Sequence, residues 1–202
     1  MQHDRAFSAV DAVPTFIGAI WPGEAGRGLR LAVLALAGSV ALTVSAKLQV
    51  PFYPVPMTMQ SLVVLLLGMA FGWRLGTATV LLYLAEGLAG LPVFAGTPEK
   101  GIGLAYMMGP TGGYLVGFVF AAALLGWLAE RGWDRSLWRT ALALSLGHAL
   151  LFVPGIAWLA VFVGWPKAVA LGLTPFLWGS VVKTALGVAL VPAAWAVFSR
   201  RR

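Results

Sequence analysis

Cysteine is absent from the 202 residues, which excludes disulfide frameworks and thiolate metal sites and leaves the redox compartment unreadable. Charge is scarce too: 10% of the residues are charged against 60% hydrophobic, which excludes an ordinary soluble domain and places the chain in the membrane class. At about 20 residues per crossing, six helices and short loops nearly exhaust the length. That leaves no room for a catalytic or nucleotide-binding domain outside the lipid. No Gly-x-x-x-x-Gly-Lys-Ser/Thr loop is present, so nothing here is expected to hydrolyse ATP. The opening Met1 to Trp21 has its apolar run broken by Asp11 and Pro14, which argues against a secretory leader. It reads as a cytoplasmic tail with an interfacial stretch through Phe16, Ile17 and Trp21. Neither simple-sequence runs nor internal repeats stand out.

What is present is a series of apolar runs. The first span is expected from about Leu29 to Ala46, with small residues Ala37, Ala41 and Ser45 four apart on one face. In lipid such a row lets another backbone approach closely, so it is either a partner-docking face or the ordinary alanine content of a membrane helix. Lys47 to Pro56 carries three prolines and reads as a stiff loop, extended or re-entrant. A second span follows from Met57 to Phe71, with Thr58 as helix cap or ligand contact and Gln60 in its first turns. Gly72-Trp73-Arg74 predicts a tight turn into a third span, Leu75 to about Leu91, carrying Tyr83, Glu86, Gly87 and Gly90.

From Pro92 to Gly113 the connection is long and too apolar for a solvated loop, and its aromatic and methionine content favours a lid. Gly109-Pro110-Thr111-Gly112-Gly113-Tyr114 opens the fourth span; its glycines read either as helix-entry punctuation or, being so many, as a backbone that approaches a ligand. Glu130, Arg131, Asp134, Arg135 and Arg139 fill a turn read as solvated. The fifth span, about Trp138 to Val163, holds a Pro154-Gly155 break and His148, taken as a packing residue. The sixth span, from the Pro175 stretch to Val197 or Phe198, contains Lys183. An ammonium at membrane depth costs about 2.5–3.5 kcal/mol at the helix centre, so it needs a role: a ligand contact, or an ion pair with Glu86, the only acid inside an apolar run.

The basic residues sort by side. Every arginine falls at the termini or in connections on the side of the termini, whereas Lys47, Lys100 and Lys167 fall on the other. The positive-inside rule then makes both termini cytoplasmic, which fits six spans. It also places the long loops, Gln60, Glu86, Tyr114, Ser180 and Lys183 in the outer half of the membrane. The net charge of +7 is therefore read as orienting helices in a bilayer, not as binding nucleic acid. The expectation is an all-α, polytopic six-helix membrane protein whose pocket is roofed by outer loops. It is divided into a 1–28 tail, a 29–198 membrane domain and a basic 199–202 end.

Met57-Thr58-Met59-Gln60, Leu81-Leu82-Tyr83-Leu84-Ala85-Glu86-Gly87, Gly90-Leu91-Pro92-Val93-Phe94-Ala95-Gly96, Gly109-Pro110-Thr111-Gly112-Gly113-Tyr114 and a closing Pro-Phe-Leu-x-Gly-x-x-x-Lys resemble the BioY family. These are biotin-specific substrate-binding components of energy-coupling-factor (ECF) transporters. The resemblance implies high-affinity capture of biotin by a non-enzymatic subunit without a cofactor. It also implies partners, a transmembrane coupling subunit and two ATP-binding-cassette ATPases, docked through the row at Ala37 and Ala41. By that resemblance Lys183 pairs with the biotin carboxylate, and Phe52, Tyr83, Phe94 and Tyr114 wall the bicyclic ring and valeryl chain. The family usually has Asp where this chain has Ser180. Either affinity is lower, then, or Glu86 takes the ureido end. Two other readings compete: a stand-alone permease, and an intramembrane serine hydrolase, for which Ser180 lacks the Gly-x-Ser-Gly turn and His148 an orienting partner.

Overall fold

The computed structural model describes residues 14–21, 26–50 and 55–199. Phe52, the arginines at 200–202 and residues 1–13 lie outside them. Helix α1 (Phe16–Ile20) is followed by α2 (Arg27–Lys47), a two-stranded ladder of β1 (Gln49–Val50) and β2 (Met57–Thr58), and α3 (Gln60–Leu88). Then come α4 (Gly103–Met107), α5 (Gly112–Ala129), a 3-10 turn at Trp133–Arg135, α6 (Leu137–Val163), α7 (Trp165–Gly172) and α8 (Thr174–Ser199). Five helical stretches are long and apolar enough to cross a membrane: Arg27–Lys47, Gln60–Leu88, Gly112–Ala129, Leu137–Val163 and Trp165–Val197.

The second stretch is two arms. Gly72 has φ 80° and ψ 172°, a conformation glycine adopts without strain, and the helix breaks there. A Cβ on Gly76 would lie 3.0 Å from the Gly68 Cα, although residues eight apart in a straight helix are about 12 Å apart. The chain therefore folds back at the Gly72-Trp73-Arg74 turn that the sequence predicts. The proline-rich segment is bracketed by antiparallel pairs, Gln49 with Thr58 and Val50 with Met57, so its ends meet and the loop closes as a hairpin.

Helix α5 is the centre of the bundle, packed between α3 and α6, and glycine makes both contacts close. A Cβ on Gly68 would meet the Ala122 backbone at 2.7 Å, and one on Gly117 the Leu151 Cα at 2.9 Å; lipid supplies no hydrophobic drive, so close van der Waals packing must hold such helices together. The buried positions of α6 (Thr140, Ala143, Leu144, Gly147, His148, Leu151, Gly155 and Leu159) recur every three or four residues and form the stripe that faces α5. The helix runs unbroken through Pro154, where the sequence suggests a break.

At the end of the bundle away from the Pro-rich hairpin, tryptophan and arginine pair: the guanidinium of Arg131 lies 3.5 Å from the Trp127 ring centroid and that of Arg135 4.3 Å from Trp195. The connection there is not wholly solvated, as the sequence suggests. Asp134 is buried and accepts a 2.6 Å hydrogen bond from Trp195 Nε1, and Glu130 accepts from the Trp73 amide at 3.1 Å. Burial raises the Asp134 carboxyl above the usual carboxylate range, opposed by that Trp195 bond. Helix α1 lies on the same corner, with the Phe16 ring edge-on to Trp195 at 5.3 Å.

Candidate substrate-binding site

A cavity of about 640 Å³, part of it open to the exterior, lies beside the β-hairpin between the start of α3, α5, α6 and α8. Its polar groups come from few places: Thr58, Gln60 and Ser61 at the start of α3, Ser180 and Lys183 on α8, His148 on α6, and Tyr106, Thr111 and Tyr114 near the start of α5. Apolar wall is supplied by Leu115, Phe118, Leu151, Phe152 and Phe176, with Val55 and Ala95 from the two loops. Few placed polar groups among apolar walls is the usual make-up of a small-molecule site.

Helix α8 opens with Thr174-Pro175, proline being tolerated in a first turn because its missing N–H is unpaired there anyway. Ser180 and Lys183, three apart, then share the face turned to the cavity. Lys183 is 8% exposed; its Nζ donates to the Thr58 carbonyl at 2.5 Å and the Ser61 hydroxyl at 2.9 Å, which leaves one of three protons uncommitted among the described residues. The ammonium thus sits at the N-terminal end of α3, where the helix dipole is positive as well. Both fields favour an anion in the cavity.

Gln60 is buried at the cavity wall, and its Nε2 has no hydrogen-bond partner among the described residues. Tyr114 lines the cavity and donates its hydroxyl to the Gly172 carbonyl at 2.8 Å, tying α5 to α7. Tyr83 and Phe94 do not line it; they stand one layer behind. Tyr83 donates to the Val93 carbonyl at 3.0 Å, its ring meets Phe94 edge-on at 5.4 Å, and Phe94 stacks on Tyr106 at 4.9 Å. Tyr106 is the member of this column that reaches the cavity. Lys47, at the end of α2, holds the same loop by donating to the carbonyls of Phe94 (2.9 Å) and Thr97 (3.1 Å) and to the Thr97 hydroxyl (2.9 Å).

Glu86 lies apart from the cavity lining. It accepts a hydrogen bond from the Ser39 hydroxyl and so joins α3 to α2. The ion pair with Lys183 that the sequence leaves open is not formed. Gly112 and Gly113, expected to bring backbone to a ligand, are buried instead against the Met107 carbonyl and against Pro154 and Trp158 of α6. Of that string Thr111 and Tyr114 reach the cavity. In the expected docking row Ala37 and Ala41 are exposed, whereas Ser45 is buried and donates to the Leu42 carbonyl at 2.9 Å.

His148, expected to be a packing residue, is both: its Nδ1 lies 3.0 Å from the Leu144 carbonyl and 3.3 Å from the Thr184 hydroxyl, and its ring lines the cavity. Ser61, Tyr106, Thr111, Phe152 and Phe176 are further lining residues that sequence reasoning did not single out.

The sequence profile of the BioY family matches residues 19–200. The chain belongs to the BioY family. Among BioY relatives, the probable biotin transporter BioY of Pyrococcus horikoshii is 41% identical over 150 residues, covering 74% of this chain and 86% of that protein. The biotin transporter BioY2 of Lactococcus lactis subsp. cremoris is 36% identical over 172 residues, covering 81% of this chain and 90% of that one. The fold matches the crystal structure of the S-component for biotin from an ECF-type ABC transporter with a TM-score of 0.73. That match covers 85% of this chain and 93% of the other at 23% identity, so it speaks for the fold.

Proposed function

We propose that this chain captures biotin with high affinity in the cavity beside the β-hairpin, as the membrane-embedded substrate-binding subunit of an ECF-type ABC transporter. It is a multi-pass protein of a bacterial or archaeal plasma membrane and a non-catalytic subunit. The observation that carries the ligand reading is the buried Lys183 ammonium at the N-terminal end of α3, the one charged side chain among the described residues that line the cavity, set beside aromatic and aliphatic walls and a few neutral polar groups. A vitamin with a carboxylate at the end of an aliphatic chain matches that pattern. Its carboxylate takes the third Lys183 proton in a charge-assisted bond, and the rings of Tyr106, Tyr114, Phe152 and Phe176 cover the apolar remainder. Thr58, Gln60 and Ser180 supply further polar contacts.

Counting the arms of α3 on either side of Gly72 separately supports a reading of six crossings, an even number that suits both ends of the bundle's chain on one side. The Trp–Arg pairs at that end favour the cytoplasmic face for it. The cavity then opens outward. Ala37 and Ala41 form an exposed small-residue face on α2, a helix whose main packing among the long helices is on α3, which suits a transmembrane coupling subunit joined to two ATPases. Ser180 and His148 share the cavity wall, yet no hydrogen bond joins them, so the pair lacks the nucleophile–base contact of a serine hydrolase.

The test is equilibrium binding of biotin and of biotin methyl ester to the purified protein in detergent, with no other subunit present. Tight binding of biotin and marked loss for the ester are expected. Equal binding of both removes Lys183 from carboxylate recognition, and no binding of either removes biotin as the ligand.

A further inference from the structure

A cyclic urea needs an acceptor for its N–H groups, and the described residues lining the cavity include no carboxylate, Glu86 being engaged with Ser39 elsewhere. Biotin's only hydrogen-bond donors are those two ureido N–H groups; its carbonyl, thioether and carboxylate accept. We infer that His148 is a specificity-determining residue of this site, its Nε2 accepting a hydrogen bond from a ureido N–H of the ligand. The inference rests on the reading of the cavity as a biotin site.

Three observations lead to it. His148 is 5% exposed and lines the cavity from the buried stripe of α6. Its Nδ1 lies 3.0 Å from the Leu144 carbonyl, a group that only accepts, so Nδ1 carries the proton. Helix α6 thereby fixes both the ring and its tautomer, and in the neutral ring Nε2 presents a bare lone pair. That Nε2 is buried with no partner among the described residues. A buried acceptor left unsatisfied is costly, and the cost is relieved when a ligand brings a donor.

Among the described residues that line this cavity, Gln60 Nε2, a donor that neighbours the Tyr83 hydroxyl, is the other buried side-chain atom with no hydrogen bond of good geometry. One open acceptor and one open donor complement a cyclic urea, which offers N–H and C=O side by side. A plain fatty acid, sharing the carboxylate and the apolar tail, satisfies Lys183 but leaves His148 unpaired. On this reading His148 separates biotin from such acids.

The chain contains two histidines, His3 and His148, so protein labelled with nitrogen-15 in histidine gives two rings, and His3→Gln assigns them. Addition of biotin to the labelled wild type should shift the His148 Nε2 resonance in the direction of a lone pair that gains a donor. Biotin methylated on both ureido nitrogens should leave it in place. In binding, His148→Phe should weaken biotin by about 10- to 100-fold, and His148→Gln, which keeps an acceptor, by much less. The methylated analogue should bind wild type and His148→Phe alike. Biotin that binds the wild type without moving the His148 resonance overturns the inference and leaves the biotin reading standing. So does a methylation penalty as large in His148→Phe as in wild type. No binding of biotin to the wild type overturns both. The resonance measurement needs no substitution at His148, so a variant that fails to fold does not block it.

Discussion

Lys47→Met tests whether the end of α2 holds the loop that covers the cavity. The Lys47 ammonium gathers the Phe94 carbonyl, the Thr97 carbonyl and the Thr97 hydroxyl, and Ala95 between them lines the cavity. Charge-assisted bonds of this kind are worth about 1.5–3 kcal/mol each. Lys47 is exposed, however, and water replaces much of what is lost, so the set is discounted to about 1–2 kcal/mol. That corresponds to about 5- to 30-fold in an equilibrium. The loop keeps its other ties, the Tyr83 bond to Val93, the Thr97 hydroxyl bond to the Phe94 carbonyl at 2.7 Å and the Phe94–Tyr106 stack, so it loosens without unfolding. The assay is release of radiolabelled biotin from loaded protein in detergent after a chase with excess unlabelled biotin. Dissociation should be about 5- to 30-fold faster with association changed by less than about threefold. Unchanged dissociation, or a change confined to association, refutes the idea that these three bonds keep the ligand covered.

Four further outcomes are expected. Lys183→Met should cost biotin about 2–5 kcal/mol and the methyl ester little, read by calorimetry on both ligands. Ala41→Leu should leave biotin binding intact in detergent and abolish uptake in cells that supply the coupling subunit and ATPases; intact uptake removes the docking face. Gly117→Ala sets a Cβ 2.9 Å from the Leu151 Cα and 3.0 Å from the Leu150 carbonyl oxygen, backbone that yields little, so thermal unfolding should show a loss of about 1–3 kcal/mol. Because burial raises the Asp134 carboxyl in the folded state, the fold binds that proton more tightly than the unfolded chain and gains stability as pH falls through the raised value toward the ordinary carboxylate range. The melting temperature of the wild type should therefore rise relative to Asp134→Asn as pH is lowered through that window; a constant difference between them rejects the assignment.

Much of this architecture is legible in the sequence because it follows from local rules. The apolar runs mark the long helices to within a few residues, and Gly72-Trp73-Arg74 marks the turn because an arm must end where glycine, tryptophan and arginine replace aliphatics. Lys183 is legible as a cavity residue for the same reason that it is costly, and Ser180 comes with it by helical spacing. What sequence does not supply is which helix faces which. Glu86 follows Tyr83 by three residues, but its carboxylate turns to Ser39 on α2 while Tyr83 turns to the loop at Val93. Tyr83 and Phe94, expected as wall by the resemblance, stand behind it because the aromatic column that they form ends on Tyr106, a residue of a short helix that no periodicity announces. His148 had a usable signal: it is in phase with Ala143, Leu144, Gly147, Leu151 and Gly155, so a polar ring had to lie on the packed stripe. Phe52 lies outside the described residues.

The position of α8 bears on how this receptor can diverge. The helix that carries Ser180 and Lys183 lies at the edge of the bundle, and Leu177, Trp178, Val181, Val182, Leu186 and Leu190 are exposed along it. Helix α5, by contrast, is locked on both sides by glycine and alanine contacts to backbone. A change on the exposed face of α8 meets few neighbours, whereas added bulk at Gly117 of α5 meets the backbone of α6. A change at Ser180 is thus borne by an edge helix while the α5 scaffold stays fixed, so that ligand chemistry and stability can be tuned on different helices.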